Sequence, residues 1–250
     1  MDGIFVHNWF ILLSRYNCYC LQARTFLPLL SMGLLTEISF LLRKEFTLEW
    51  RQRYALSGIL LYVLSTVFII FISFQKLSPQ LWNVLFWVIM LFASINAVVK
   101  SFVQESGHRQ LYYYQVASPL AILLSKMVYN TLLLLLIGCL TFVALGFIAG
   151  SPVEEASHFA MALFFGSLGF SITFTFVSAI AAKADNSSTL MAILSFPVII
   201  PVLLLLVNLS AHSIGLLGGG GVAKDVMMLI AIDLVLLALG MVLFPFLWRD

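Results

Sequence analysis

The chain alternates long apolar stretches with short polar ones. Sustained apolar runs occupy Ser57 to Phe74, Leu81 to Val99, Leu120 to Ala149, Phe159 to Ala182, Leu190 to Leu209 and Val226 to Trp248. A helix needs about 20 apolar residues to cross the hydrocarbon core of a bilayer, so these runs predict six spanning helices. The third run is longer than one perpendicular crossing requires. Ser118 as N-cap and Pro119 at the first helical position open it, which places its first turn in the headgroup region and lets Lys126 snorkel back to the surface. Ahead of the first span, "LLRKEFTLEWRQRYALSG" mixes Leu41, Leu42, Phe46, Trp50 and Tyr54 with charges at near-helical spacing. That is the pattern of an amphipathic elbow helix lying in the inner interface.

Composition removes the main alternative. Of 250 residues, 62% are hydrophobic and 10% charged, and the mean hydropathy is +1.07, values incompatible with an ordinary soluble domain. The spans and their short loops use nearly all the length, leaving no room for a soluble catalytic domain. The fold class expected is therefore an all-α membrane protein of six transmembrane helices, with an N-terminal elbow helix. Residues 1–33 form an N-terminal extension and residues 34–250 the membrane domain. The extension, "MDGIFVHNWFILLSRYNCYCLQARTF" onward, is interrupted by Arg15 and Arg24 and lacks a small-residue cleavage pattern, so it is a poor signal peptide. A start at Met32 leaves a compact six-span protein, which suggests a mis-assigned start or a lineage-specific tail.

Charge placement orients the bundle. Arg43, Lys44, Arg51 and Arg53 precede the first span, Lys100, Arg109 and Lys126 lie between the second and third, Lys183 follows the fourth and Arg249 the sixth, while the opposite loops carry only Lys76 and Lys224. The positive-inside rule makes both termini cytoplasmic and puts Glu154 and Glu155 outside. The net charge of +2 reflects this topology, and no basic array points to nucleic acid.

Candidate chemistry is sparse. The glycine run Gly215 to Asp225 lacks the Gly-Lys-Ser/Thr order of a phosphate loop, since Ala223 precedes Lys224 and Asp225 follows it; it reads as a flexible external loop. Cys18, Cys20 and Cys139 make no haem-attachment motif. His7, His108, His158 and His212 fall in loops or the tail. Solvated side chains are the default for them, and axial haem ligation by His158 and His212 is the sharper alternative. Asp233 lies inside the sixth run, where an ionisable group normally faces the bundle interior or a partner; its alternative is toleration near the external end. Ser167, Ser171, Thr175, Ser178 and Ala182 line up at helical spacing beside Gly166 and Gly169. They form a small-residue ridge suited to close helix contact, or else a polar path. Pro197 and Pro201 each remove a backbone donor from the fifth span, so that helix should kink unless neighbours compensate.

The longest stretch that lipid cannot accept between two spans is "SFVQESGHRQLYYYQVASPLAILLSK", Ser101 to Lys126. Its ordered Glu105, Gly107, Ser118, Pro119 and Lys126, the later "AAKADNSSTLMAILSFPVIIP" with Lys183, Pro197 and Pro201, and Pro245-Phe246 near the end together resemble the CcmB family. Members of this family are the haem exporter permease subunits of cytochrome c maturation, in the ABC transporter superfamily. The likeness covers about Leu34 to Asp250. The tail and the tyrosine triplet Tyr112 to Tyr114 depart from the family pattern.

The resemblance implies that the loop between the second and third spans carries a coupling helix for a cytoplasmic CcmA-type ATPase. The residues suit that role. Gly107 breaks the inner extension of the second span, and His108 to Gln115 then runs as a short helix with Leu111, Tyr112 and Tyr114 as groove anchors and Glu105 and Arg109 as a charged rim. An interfacial helix whose tyrosines form an aromatic belt is the alternative. The resemblance further implies work with CcmC, CcmD and the external haem chaperone CcmE, haem as the handled substrate with none covalently bound, ATP on the partner subunit, no catalysis by this chain, a second copy as homodimer partner, and location in a bacterial inner membrane. Whether haem crosses this subunit or the motion releases the loaded chaperone is left open by these residues, and the lack of paired intramembrane histidines leans towards release. A permease for a lipid-linked glycan or a drug is the other reading within the superfamily. A non-transporting membrane scaffold is the reading outside it.

Overall fold

A computed structural model describes residues 34–51, 53–74, 77–103, 118–181, 187–217 and 221–249. Seven helices account for almost all of them: α1 (Leu34–Arg51), α2 (Arg53–Ser73), α3 (Pro79–Val103), α4 (Pro119–Ala149), α5 (Ala156–Ala181), α6 (Ser187–Ser213) and α7 (Val222–Arg249). No strand occurs among the described residues. In lipid a backbone must satisfy its own hydrogen bonds, and the helix does so within each segment.

Five helices, α3 to α7, are long and apolar enough to cross a membrane, and α2 carries a shorter apolar part, Ser57–Ser73. The chain is thus an all-helical, multi-pass membrane protein. The charged segment ahead of the first apolar run is helical: α1 is described to Arg51, and α2 already begins at Arg53, ahead of the expected Ser57.

Helix α5 is the axis of the bundle, packing against α3, α4, α6 and α7, while α2 rests mainly on α3 and α4 and also touches α1. The small-residue ridge explains this. Ser167, Ser171, Thr175 and Ser178 are all buried, and short side chains let neighbouring backbones approach where lipid offers no hydrophobic force between helices. Gly166 is an example on the other face, because a Cβ there would lie 2.7 Å from the Trp87 ring and 3.1 Å from Leu206.

Consecutive helices from α3 to α7 alternate in direction. Phe142 near the end of α4 meets Phe159 near the start of α5 at a ring separation of 4.8 Å, and Ser171 further along α5 donates to the Met127 carbonyl near the start of α4. The loop before α5 and the end of α6 are tied where the Glu154 and Glu155 amides both donate to the Ser213 carbonyl, at 3.0 and 3.1 Å. Trp82, Phe86, Phe142 and Phe159 form an aromatic cluster at that end. Helix α6 stays helical through Pro197 and Pro201. Both prolines lie on its exposed side, so the missing donors open no gap in the packed core.

Candidate functional site: the elbow clamp and the polar core

Helix α4 has 31 residues, about 46 Å of helix against a hydrocarbon core of about 30 Å. Its surplus first turns are where α1 lies. Ser118 Oγ donates to Glu37 Oε2 at 2.7 Å. Leu41 packs with Ala121 and Ile122 in a small apolar cluster that Ile38 adjoins. Lys126 Nζ sits 3.5 Å from Glu45 Oε1, and the Phe46 and Tyr129 rings meet edge-on at 5.4 Å. Contacts that advance together along both helices mean that α1 and α4 run in the same direction here, side by side.

Two expectations for this stretch change. Ser118 has extended backbone and Pro119 follows at the first helical position, but the Ser118 side chain makes no cap; its hydroxyl is used on Glu37 instead. Proline supplies no N–H at the position behind it, so one fewer donor needs a partner there. Lys126 does not snorkel: its side chain is 2% exposed and turned onto Glu45, itself 13% exposed. A carboxylate on a helix packed alongside outcompetes a stretch to the surface. Glu45 also lies 3.4 Å from Lys44.

Further along, α4 and α5 are joined by polar bonds inside the bundle. Asn130 Nδ2 donates to Thr175 Oγ1 at 2.8 Å, and Ser171 Oγ donates to the Met127 carbonyl at 2.6 Å. The ridge therefore packs and bonds. Near the opposite end, Asn83 ties α3 to α6: its Nδ2 donates to the Val207 carbonyl at 2.9 Å, its Oδ1 accepts from Ser210 Oγ at 2.7 Å, and Ser210 in turn accepts from Trp87 Nε1 at 2.8 Å.

Asp233 lies inside the bundle, 3% exposed, so of its two alternatives the interior position is the one found. A Cβ on Gly169 would lie 2.6 Å from Asp233 Oδ1 and 3.2 Å from Val202 Cγ1. The carboxyl is thus seated against the bare backbone of α5, beside α6. Neither of its oxygens has a hydrogen-bond partner among the described residues, and the same is true of the hydroxyls of Ser167, Thr173 and Ser178.

At the other end of the bundle His212 Nε2 faces Asp225 Oδ2 at 3.3 Å, and His158 pairs with Glu155 one turn before it. Gly215 closes the turn after α6 with φ of +71°, where a Cβ would also meet Glu154 Oε2 at 2.8 Å. Each histidine is engaged by its own carboxylate, and no group of three or more metal-binding side chains occurs among the described residues.

Of the coupling residues expected from sequence, Glu105, Gly107, Arg109, Leu111, Tyr112 and Tyr114 lie outside the described residues, whereas Ser118 and Pro119 stand at the head of α4. The intramembrane candidates Asp233, Pro197 and Pro201 are not brought together: Asp233 is buried and the prolines are on the exposed side of α6. Sequence reasoning missed Glu37, Glu45, Asn83 and Asn130. The two asparagines were detectable as amides inside apolar runs, where a polar group needs an internal partner. The glutamates had no such signal, because charge is ordinary ahead of a first span.

A polytopic bundle of this kind, with a parallel amphipathic helix clasped to the head of its longest span, defines a membrane subunit without a soluble domain of its own among the described residues. The CcmB protein family matches residues 36–247. The chain belongs to the CcmB family, whose members serve as ABC-type haem exporter permeases in cytochrome c biogenesis and work with the other Ccm components. No curated protein matches the chain.

Proposed function

We propose that this chain turns ATP-driven closure of a CcmA-type ATPase into movement of its own spans, and that it hydrolyses nothing itself. The observation carrying this reading is the family match over residues 36–247. In this reading the segment of Glu105, Gly107, Arg109, Leu111, Tyr112 and Tyr114 docks on the ATPase, and Ser118 and Pro119 connect it to α4. Haem is the substrate handled and not a resident cofactor. CcmC, CcmD and the chaperone CcmE are the other partners, two copies of the chain pair with two ATPase subunits, and movement releases the haem-loaded chaperone. The protein crosses the bacterial inner membrane six times, α2 being the first crossing, with both termini cytoplasmic.

The test is the triple substitution Leu111→Ala, Tyr112→Ala and Tyr114→Ala. It removes an aromatic anchor cluster and weakens ATPase association by about 2 kcal/mol or more, while insertion is unaffected because the spans are untouched. The expected result is normal abundance in the membrane, loss of ATPase in a pull-down and loss of mature cytochrome c. Full ATPase recovery with normal cytochrome c overturns the coupling role.

A further inference from the structure

Two of the polar contacts in the clamp, Glu37 with Ser118 and Glu45 with Lys126, are spaced eight residues apart on each helix. Leu41, midway between the glutamates, lies against Ala121 and Ile122. Eight residues are about 12 Å of helix. Two rods joined by polar ties at both ends of such a length, with an apolar contact between, cannot slide or roll independently without breaking a tie. The ion pair is the stronger tie, because Lys126 has almost no access to solvent.

The head of α4 also follows directly on the segment 104–117. Any push or pull delivered there reaches Ser118 first. We propose that α1 and the first three turns of α4 form one rigid lever, latched by Glu45 and Lys126, and that this pair is a positioning element that carries displacement of the preceding loop into the bundle. The continuation of the lever is visible: one turn past Lys126, Asn130 donates to Thr175 on the central helix α5, and Ser171 donates to the Met127 carbonyl. Force on α4 is thereby handed to the helix that touches most of the others. The role of the lever in transport rests on the coupling reading above; the union of α1 with α4 does not.

The experiment uses the complete Ccm complex in membranes, with Cys18, Cys20 and Cys139 replaced by serine. In one arm Leu41→Cys and Ile122→Cys are cross-linked by oxidation. A rigid lever gives the same cross-link yield with and without ATP, and the cross-linked complex still matures cytochrome c. A several-fold change in yield with ATP, or loss of maturation on cross-linking, overturns the lever. In the other arm Lys126→Met and Lys126→Arg are compared. The latch predicts that K126M retains the ATPase in a pull-down but loses at least tenfold in maturation, and that K126R restores it. K126M with undiminished maturation overturns the latch, as does K126R failing as completely as K126M. Should K126M not accumulate, Glu45→Gln, which keeps the shape of the acid and loses its charge, is measured in its place with the same expectations. Failure of the coupling reading has a different signature: the Leu111, Tyr112 and Tyr114 variant keeps its ATPase, whatever the cross-link does.

Discussion

Asp233 and Gly169 are a matched pair, since the carboxyl occupies the space a β-carbon would need. Replacing Gly169 by alanine sets a carbon 2.6 Å from Oδ1 and 3.2 Å from Val202 Cγ1, and at 3% exposure Asp233 has no solvent into which to retreat. Overpacking of this kind costs about 1–3 kcal/mol, so G169A is expected to melt below the wild type in detergent, with Asp233→Ala in the same chain recovering part of the loss. An unchanged Tm would mean that α5 and α7 are not tightly packed there. The isosteric Asp233→Asn is expected to keep or raise the Tm, because the carboxyl makes no hydrogen bond among the described residues that the change could break. If D233N is stable yet fails to mature cytochrome c, the acid is needed for the cycle and not for the fold. The presence of an acid in an apolar run was legible in the sequence; its seat was not, because which glycine faces it depends on the register between two helices far apart in the chain.

Between elements, the asparagine clamps carry more specificity than the apolar contacts around them, which lipid tails imitate equally well. Asn83→Ala removes two of the side-chain bonds that hold α3 to α6, leaving that from Trp87 to Ser210, and leaves the Val207 carbonyl and the Ser210 hydroxyl each one partner short. A loss of about 1–2 kcal/mol is expected, read as a lower Tm than that of Asn208→Ala, whose side chain is on the exposed side of α6. Equal melting of the two variants would show that the bonds contribute nothing net. The helices themselves were largely legible, yet most reach beyond the apolar runs: α3 covers Pro79–Val103 where the run is Leu81 to Val99. Hydrophobicity marks where a helix meets lipid, whereas backbone hydrogen bonding ends it, and polar residues can continue a helix past the hydrocarbon. The parallel pairing of α1 with α4 could not be read at all. A periodic apolar face states that a helix is half-buried and leaves its partner unnamed.

For the molecule as a whole the open quantity is direction across the membrane, because a bundle packs identically whichever end is inside. The structure sorts the loops into two ends: Glu154 and Glu155 join the end of α6 through the Ser213 carbonyl, and α1 lies with Ser118 and Lys126 at the other, around the head of α4. The basic residues Arg43, Lys44 and Lys126 belong to the α1 end, whereas Lys224 begins α7 at the Glu154 end. By the positive-inside rule that imbalance predicts a cytoplasmic α1 end. Two exposed positions read it directly, Glu154 in the loop before α5 and Thr47 on α1. With the three native cysteines replaced by serine, Glu154→Cys is expected to react with a membrane-impermeant maleimide in intact spheroplasts, and Thr47→Cys only after the membrane is permeabilised. The opposite pattern would invert the bundle and place the α1 clamp on the outer face, out of reach of any cytoplasmic ATPase. Labelling of both positions in intact spheroplasts would mean that the chain inserts in two orientations, against the single orientation that the charge bias predicts.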